Sequence, residues 1–247
     1  FTQHDFIIGL AGNPNVGKST IFNSLTGMHQ HTGNWPGKTV SNASGYFEYN
    51  NKNFLIFDIP GTYSLMSNSE EEEIARDFIC FQKPDATLVV VDATCLEKSL
   101  NLVYQTMEIT PNVIVCVNLL DEAEKKGIDI NLSLLSKELG VPVVGTIANK
   151  KHTLDKLQDV VFKFCMNKIY SQPILVTYPD NIEKNILEIS NNLKDILPEK
   201  YAYLSRWISL KILDYDDSII QNINDKIFNT NAINVNSLNP SNENTKS

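Results

Sequence analysis

Short apolar runs alternate with amphipathic segments along the first two thirds of the chain. Runs such as "FLIFD" and "TLVVVD" are four to eight residues long, and most are followed by segments with apolar positions three or four residues apart. This alternation is typical of a mostly parallel sheet with helices on both faces. We therefore predict an α/β domain with a six-stranded sheet. The predicted strands are Ile7–Ala11, Gly45–Tyr49, Phe54–Asp58, Thr87–Asp92, Val113–Asn118 and Val141–Val144.

The second part of the chain is predicted to be helical. Between Asn181 and Phe228 three amphipathic segments follow one another without a strand-like run, which indicates a small all-α domain. We predict an α/β domain over residues 1–168, a helical domain over 169–228 and a tail over 229–247. The tail contains seven Asn and few apolar residues, so it is predicted to be disordered. The predicted helical core consists of Leu187, Leu193, Ile196, Leu197, Leu204, Trp207, Ile208, Leu210 and Ile212.

Composition narrows the classes of function. With 21 basic and 29 acidic residues the net charge is −8, so we expect no basic face for nucleic acid and no nucleic-acid partner. The dispersed cysteines, at positions 80, 95, 116 and 165, indicate neither a disulfide framework nor a zinc site, and they suit a reducing compartment. No apolar run reaches the roughly 20 residues that span a bilayer. The chain begins at Phe1 without an initiator Met, so we expect a fragment of a longer protein.

The first predicted strand leads into "GNPNVGKST", which matches G-x-x-x-x-G-K-[ST] and opens a helix. In such a P-loop the backbone N–H groups point at phosphates, and the helix N-terminus adds partial positive charge. Lys18 is expected to reach the β- and γ-phosphates, and the Ser19 hydroxyl to ligate Mg²⁺. The predicted phosphate-binding residues are Gly12, Asn13, Pro14, Asn15, Val16, Gly17, Lys18, Ser19 and Thr20.

Two later segments supply candidates for Mg²⁺ and the γ-phosphate. Asp58 ends a predicted strand at the sheet edge where ligands of α/β folds bind, and we expect it to hold Mg²⁺ through water. The N–H of Gly61 is expected to meet the γ-phosphate. The loop "HTGNWPGKTV" contains the turn former Gly37 and two Thr residues. Thr39 is the preferred candidate to complete the Mg²⁺ shell with its hydroxyl and to bond the γ-phosphate with its backbone before hydrolysis, and Thr32 competes with it.

The acidic segment "SNSEEEEIARDF" predicts the start of a helix. Ser69 and Glu72 have the spacing of a capping box, and four acidic residues occupy the positive end of the helix dipole. We interpret these glutamates as a solvated, cap-stabilising first turn rather than as catalytic groups.

Residues near the ends of the last two strands are predicted to bind the base. Asn118 ends a strand, so Asp121 is predicted to lie in the loop just beyond the sheet. Its carboxylate can accept hydrogen bonds from N1–H and the exocyclic N2 amine of guanine, a pair of donors that adenine does not offer. We therefore predict GTP and GDP as ligands. Leu119 stands where GTP-binding chains usually have Lys, whose aliphatic stem covers the base. Leu119 can provide apolar cover too, but we expect weaker affinity and faster nucleotide exchange than with Lys. A backbone N–H near Ala148 is expected to bind guanine O6, and Thr146 lies in the same segment.

The motifs, in this order, resemble those of translation-factor-like GTPases, which have the P-loop GTPase fold. The segments "GNWPGKTV", "DIPGTYSL" and "NLLDEAEKKGIDI" also resemble the cytosolic N-terminal part of the FeoB family of bacterial ferrous iron transporters. This resemblance covers Ile7 to about Lys163, and "YLSRWISLKILDYDD" resembles the family's helical domain.

The resemblance implies a nucleotide switch that regulates or powers iron uptake through a membrane region. It places the chain, as a soluble fragment, at the cytoplasmic face of the inner membrane, with a GDI-like helical domain that slows GDP release. Whether the chain forms a homo-oligomer stays an open question. A soluble potassium-dependent GTPase of tRNA modification or ribosome assembly is the alternative, and a non-enzymatic guanine-nucleotide sensor is another.

The resemblance also implies a K⁺ ion held by Asn15, whose charge replaces an arginine finger. The alternative is that Asn15 only braces a Gly/Pro turn. Thr62 occupies the position where Ras-like proteins place a water-orienting Gln, so we expect slow intrinsic hydrolysis. The predicted catalytic residues are Asn15, Lys18, Thr39 and Gly61.

Overall fold

The computed structural model describes residues 4–27, 30–35, 38–66, 68–147 and 150–228. The chain divides into two compact units. One comprises Phe1–Met107 and Pro111–Ile174, and the other comprises Glu108–Thr110 and the chain from Leu175 onward. The predicted boundary at residues 168 and 169 stays a prediction, and the Asn-rich tail lies outside the described residues.

The first unit is built on a mostly parallel sheet, as predicted. In its described part there are seven strands, in the order β2-β3-β4-β1-β5-β6-β7. Strands β1, β4, β5, β6 and β7 pair in parallel, whereas β2 with β3 and β3 with β4 pair antiparallel. The strands are β1 (Phe6–Gly12), β2 (Gln30–Asn34), β3 (Ser41–Tyr49), β4 (Lys52–Asp58), β5 (Ala86–Asp92), β6 (Val113–Asn118) and β7 (Val143–Gly145).

The prediction of six strands was wrong by one. Strand β2, with the sequence QHTGN, has no apolar alternation and is largely exposed at the sheet edge. β2 is a strand because its backbone pairs with β3. Since neither of its faces is buried, its sequence shows no alternation of apolar and polar residues. The last strand is also shifted, from Val141–Val144 to Val143–Gly145. Pro142 accepts a hydrogen bond from Val115 N–H at 2.9 Å but has no N–H to donate to the ladder.

Helices cover both faces of this sheet. Most positions of the central strands β1, β5 and β6 are buried, and Leu10, Leu88 and Ile114 pack in one cluster with Ile21 and Leu157 of two helices. A buried side chain of this size contributes about 1.5–3 kcal/mol, so the core fixes the strand ends that form the site. The helices are α1 (Lys18–Thr26), α2 (Glu70–Asp77), α3 (Leu96–Ile109), α4 (Leu120–Lys125), α5 (Leu132–Leu139) and α6 (Lys151–Cys165); a π-helical turn, Phe78–Gln82, follows α2.

The described part of the second unit is helical, as predicted. It contains α7 (Asp180–Ile196), a 3₁₀ turn (Glu199–Leu204), α8 (Ser205–Leu213) and α9 (Asp217–Ile227). Its buried core includes Leu193, Leu197, Leu204, Trp207, Ile208 and Ile212.

One predicted core residue of the second unit was wrong. The buried stripe of α7 runs through Ile186, Ile189 and Leu193, and Leu187 lies about 100° around the helix from Ile186. Leu187 is therefore 61% exposed. Ile196 and Leu210 are partly buried. None of the described helices has the length and apolar character needed to cross a membrane.

Candidate nucleotide site

The P-loop joins β1 to α1 and requires a glycine at its last turn. Gly17 has φ +82°, and a Cβ atom there would lie 2.4 Å from Asn118 Nδ2. A side chain at this position would be strained and would also collide with the Asn118 amide. Asn15 has φ +66° and an exposed side chain, and Ser19 and Thr20 are exposed at the start of α1.

A buried network fixes the back of the P-loop. Asn118, at the end of β6, is fully buried and donates from Nδ2 to the Val16 carbonyl oxygen at 2.9 Å. Its Oδ1 accepts from Thr146 Oγ1 at 3.0 Å, and Thr146 Oγ1 lies 3.2 Å from Cys116 Sγ. Burial raises the pKa of the Cys116 thiol to about 12. The thiol is therefore neutral and can donate to Thr146, which satisfies the whole chain of groups.

Thr146 acts on the site indirectly, through its contact with Asn118. Its side chain is fully buried and hydrogen-bonded to Asn118, so this side chain orients the Asn118 amide. Ala148, the predicted base contact on the same segment, lies outside the described residues.

Asp121 lies in the first turn of α4, which begins at Leu120, whereas the sequence predicted a loop. The turn is made by Leu119, which has φ +64° and ψ +34°. This left-handed conformation is unusual for a non-glycine residue and costs about 1–2 kcal/mol. The Asp121 side chain is half-buried. Within the part of the chain that the structure describes, no hydrogen bond or ion pair engages its carboxylate, so it is available to a ligand.

Lys18 and Asp58 come together at the carboxyl end of the sheet. Lys18 Nζ forms an ion pair with Asp58 Oδ1, and both side chains are largely buried. The following segment rests on the P-loop, because Thr62 N–H donates to the Gly12 carbonyl at 3.2 Å. A Cβ atom on Gly61 would lie 3.4 Å from Pro14 Cα. Lys18, Asp58 and Gly61 therefore lie together beside the P-loop.

Thr39 is held by the first turn of α2. Its hydroxyl donates to Glu70 Oε2 at 2.7 Å, and its N–H points at Glu70 Oε1 at 3.4 Å. The neighbouring Lys38 Nζ donates to Glu73 Oε2 at 3.0 Å. This hydrogen bond with Glu73 raises the pKa of Lys38, so the ammonium stays charged. Residues 38–40, which we call the switch loop, are thus tied to α2.

The first turn of α2 does more than the sequence predicted. Ser69 caps the helix as expected, because its hydroxyl accepts from Glu72 N–H at 3.2 Å. The Glu72 carboxylate accepts from Ser64 Oγ at 2.6 Å and from Asn68 N–H at 3.1 Å. Our interpretation of these glutamates as a solvated turn therefore holds only in part, since Glu70, Glu72 and Glu73 each bind another segment.

The two Thr candidates occupy different settings. Thr32 lies on the edge strand β2, paired with Ala43 and exposed, whereas Thr39 lies in the switch loop. Gly37 lies outside the described residues. Sequence reasoning missed Glu70 and Glu73 as partners of this loop. Their spacing of three residues places them on one helix face, but nothing in the sequence shows what that face contacts.

Known proteins with the same organisation are similar to this chain over both units. The family model described as "Ferrous iron transport protein B" matches residues 6–161, and the one described as "FeoB cytosolic helical domain" matches residues 178–239. The Fe(2+) transporter FeoB of Methanocaldococcus jannaschii is 42% identical over 224 residues, which are 90% of this chain and 33% of that protein.

Two solved structures of the cytosolic domain of the T. maritima FeoB iron transporter share the fold. The GDP form II has a TM-score of 0.81 at 34% identity and covers 88% of this chain and 84% of that chain. The GMPPNP form has a TM-score of 0.79 at 34% identity and covers 87% and 85%.

The chain spans about a quarter to a third of the length of the curated relatives, between 26% and 33%. The matches confirm the predicted fold and the predicted resemblance. The chain belongs to the FeoB family of ferrous iron transport proteins.

Proposed function

We propose that this chain binds GTP and GDP, hydrolyses GTP slowly, and acts as the nucleotide switch of a ferrous iron transporter. The observation that carries the proposal is the convergence of Lys18, Asp58 and Gly61 on a P-loop whose back is bonded to Asn118. The GDP and GMPPNP forms of the T. maritima relative support it.

Guanine selectivity is assigned to Asp121. Its carboxylate would accept from N1–H and the exocyclic amine of the base in a charge-assisted pair. An adenine would leave the carboxylate without donors, and sites of this kind reject such an analogue by roughly 10⁴–10⁵-fold. Asn118 and Thr146 fix the end of β6, from which the chain leads into the first turn of α4 with Asp121, and a backbone N–H near Ala148 would complete the base site.

The oxygen donors at the phosphate end suit Mg²⁺, which prefers hard oxygen ligands. Ser19 and Thr39 would hold the ion through hydroxyls and Asp58 through water, and the ion would neutralise charge on the phosphates. The Asp58 carboxylate forms an ion pair with Lys18. On binding, Lys18 would exchange this partner for β- and γ-phosphate oxygens, and Gly61 N–H would meet the γ-phosphate.

We expect slow hydrolysis because neither Thr62 nor Arg76 is available to assist the reaction at the γ-phosphate. Thr62 is buried, and its hydroxyl donates to the Ser64 carbonyl at 2.7 Å, so it is not free to orient a water. Arg76 of α2 is 2% exposed and bonds Asp77 Oδ1 at 2.7 Å, so it cannot act as an arginine finger. The exposed amide of Asn15 would hold K⁺, which would supply the missing positive charge.

For the whole protein we propose that Fe²⁺ is the transported substrate and that this chain lies at the cytoplasmic face of the membrane. The membrane region of the longer relatives would be its partner, and the helical unit would slow GDP release. Family membership favours this function over tRNA modification or ribosome assembly. A homo-oligomer is compatible with the proposal, and no nucleic-acid partner is expected.

GTP turnover in potassium chloride and in sodium chloride, at equal ionic strength and with ATP as the blank, tests the proposal. We expect turnover of GTP alone, with a potassium advantage that disappears in Asn15→Ala. Equal slow rates in the two salts would contradict the role of K⁺ and leave the guanine switch in place. Turnover of ATP at the same rate would contradict the assignment of Asp121.

A further inference from the structure

Glu70 contacts the hydroxyl and the backbone N–H of Thr39, which are the two groups that Thr39 would use in a GTP switch. The Thr39 hydroxyl is 2.7 Å from Glu70 Oε2, and its N–H points at Glu70 Oε1 at 3.4 Å. The predicted role of Thr39 in the GTP state is to bond the γ-phosphate with its N–H and to approach Mg²⁺ with its hydroxyl. A single N–H cannot point at Glu70 and bond the phosphate fully at the same time.

Charge makes the two arrangements exclusive. The γ-phosphate is anionic, and a carboxylate beside it would be repelled. Thr39 must therefore leave Glu70 when GTP binds, and Lys38 follows because it is adjacent in the chain. Its partner Glu73 and the nearby Glu70 and Asp77 are the negative groups that face the Lys38 ammonium. GDP has no γ-phosphate, so its binding leaves the contact intact.

We propose that Glu70 is a positioning residue that competes with the γ-phosphate for Thr39 and thereby lowers the affinity of the site for GTP relative to its affinity for GDP. This inference rests on the proposed function. A ligand shifts such an equilibrium by its differential affinity for the two states. Removing the competitor therefore tightens GTP binding and leaves GDP binding unchanged.

The chain offers a matched control on the same helix turn. Glu71 is exposed, and within the described residues it forms no hydrogen bond or ion pair. Glu70→Ala and Glu71→Ala each remove one carboxylate from the first turn of α2, so they change the net charge and the helix-dipole interaction alike. The contact with Thr39 is lost in Glu70→Ala alone. Glu70→Gln keeps an uncharged acceptor and gives an intermediate case.

The test is calorimetric titration of the full chain with a non-hydrolysable GTP analogue and with GDP, both with Mg²⁺. We expect the analogue to bind Glu70→Ala about three- to tenfold more tightly than the unchanged chain, the range for a lost, partly exposed hydrogen bond. The GDP affinity of Glu70→Ala should stay within about twofold of that of the unchanged chain. The analogue affinity of Glu70→Gln should lie between those of Glu70→Ala and the unchanged chain, and Glu71→Ala should bind both nucleotides as the unchanged chain does.

Three results would overturn the inference. The ratio of analogue to GDP affinity in Glu70→Ala could equal that in Glu71→Ala, which would make the contact energetically irrelevant. Analogue binding could become weaker, which would mean that Glu70 supports the GTP state. The unchanged chain could bind neither nucleotide, and this would contradict the proposed function as well. Chemical unfolding of the variants at equal midpoints excludes a folding defect as the cause.

Discussion

The proposed base side and the proposed switch side of the site are held by different kinds of contact. On the base side, Cys116, Asn118 and Thr146 are fully buried and joined by neutral contacts of 3.0–3.2 Å. On the switch side, the exposed Thr39 is bound to the Glu70 carboxylate. Cutting a buried hydrogen bond leaves an unsatisfied group and costs about 1–3 kcal/mol. An exposed ion pair such as Lys38–Glu73 on the switch side contributes about 0–1 kcal/mol.

The difference shows which part of the site is fixed by contacts within the protein. The base side is held by contacts among protein groups, because Asn118 bonds the Val16 carbonyl of the P-loop. The switch side is held by partners that an anionic phosphate can replace. We therefore expect substitutions on the base side to weaken all nucleotides, and substitutions on the switch side to change the ratio between them.

The largest expected effect is a change of base. Asp121→Asn replaces an acceptor by an amide that can donate, so the site should lose guanine and gain xanthine, which has a carbonyl in place of the exocyclic amine. We expect the GDP-to-xanthosine-diphosphate affinity ratio to fall by about 10³-fold or more. Competition titration measures this ratio. Glu122→Gln, the same chemical change one residue on, should leave it unchanged; an unchanged ratio in Asp121→Asn would remove Asp121 from the base site.

Gly17→Ala should break the connection between P-loop and base side. The added Cβ would meet Asn118 Nδ2 at 2.4 Å, at a φ of +82°. We expect GDP affinity to fall by about 100-fold and the free energy of unfolding to fall by about 1–3 kcal/mol. GDP titration and urea unfolding measure the two effects.

Gly127→Ala is the control for Gly17→Ala. Gly127 has a similar φ of +71°, but a Cβ there meets nothing within 4 Å. It should therefore lower stability and leave GDP affinity unchanged. Equal GDP affinities for the two variants would show that the contact with Asn118 is unimportant.

Thr146→Val should weaken the base side while keeping its shape. Asn118 Oδ1 and Cys116 Sγ would each lose their partner in a fully buried setting. We expect a loss of about 1–2 kcal/mol in unfolding free energy and about tenfold in GDP affinity. In the control Thr106→Val, the lost hydroxyl is also fully buried but bonds the Leu102 carbonyl of α3 at 2.7 Å. A loss of GDP affinity as large in this control would mean that the effect is general destabilisation.

Leu119→Lys should have the smallest effect. The longer side chain restores the residue usual at this position, and we expect GDP release to slow by about threefold, which corresponds to about 0.7 kcal/mol. Stopped-flow displacement of labelled GDP measures the rate. Leu134→Lys, at a position that is 52% exposed on α5, adds the same charge elsewhere. Faster release in Leu119→Lys would contradict the expected cover of the base by this side chain.

The sequence predicted the features that are written in local patterns. The P-loop follows from the order of strand, glycine-containing loop and helix, and the strands that carry Asp58 and Asn118 follow from apolar runs. Each of these depends on neighbours in the chain, so a short window contains the information.

The features that were missed depend on tertiary pairing. Strand β2 is polar and is defined by its partner β3, and Leu187 differs from the buried Ile186 only by its angle around α7. Glu70 looks like any acidic residue at a helix start, and its contact with Thr39, 31 residues away, has no local pattern.

Hydrogen exchange at two amides, followed by NMR, tests the central contrast most directly. The amides are the Asn118 side chain and the Thr39 backbone N–H, each measured without nucleotide, with GDP and with a GTP analogue. We predict that the Asn118 amide is protected in all three states, and that Thr39 gains protection with the GTP analogue alone. An Asn118 amide that exchanges freely until GDP binds, or a Thr39 amide equally protected by GDP and the analogue, would contradict the account.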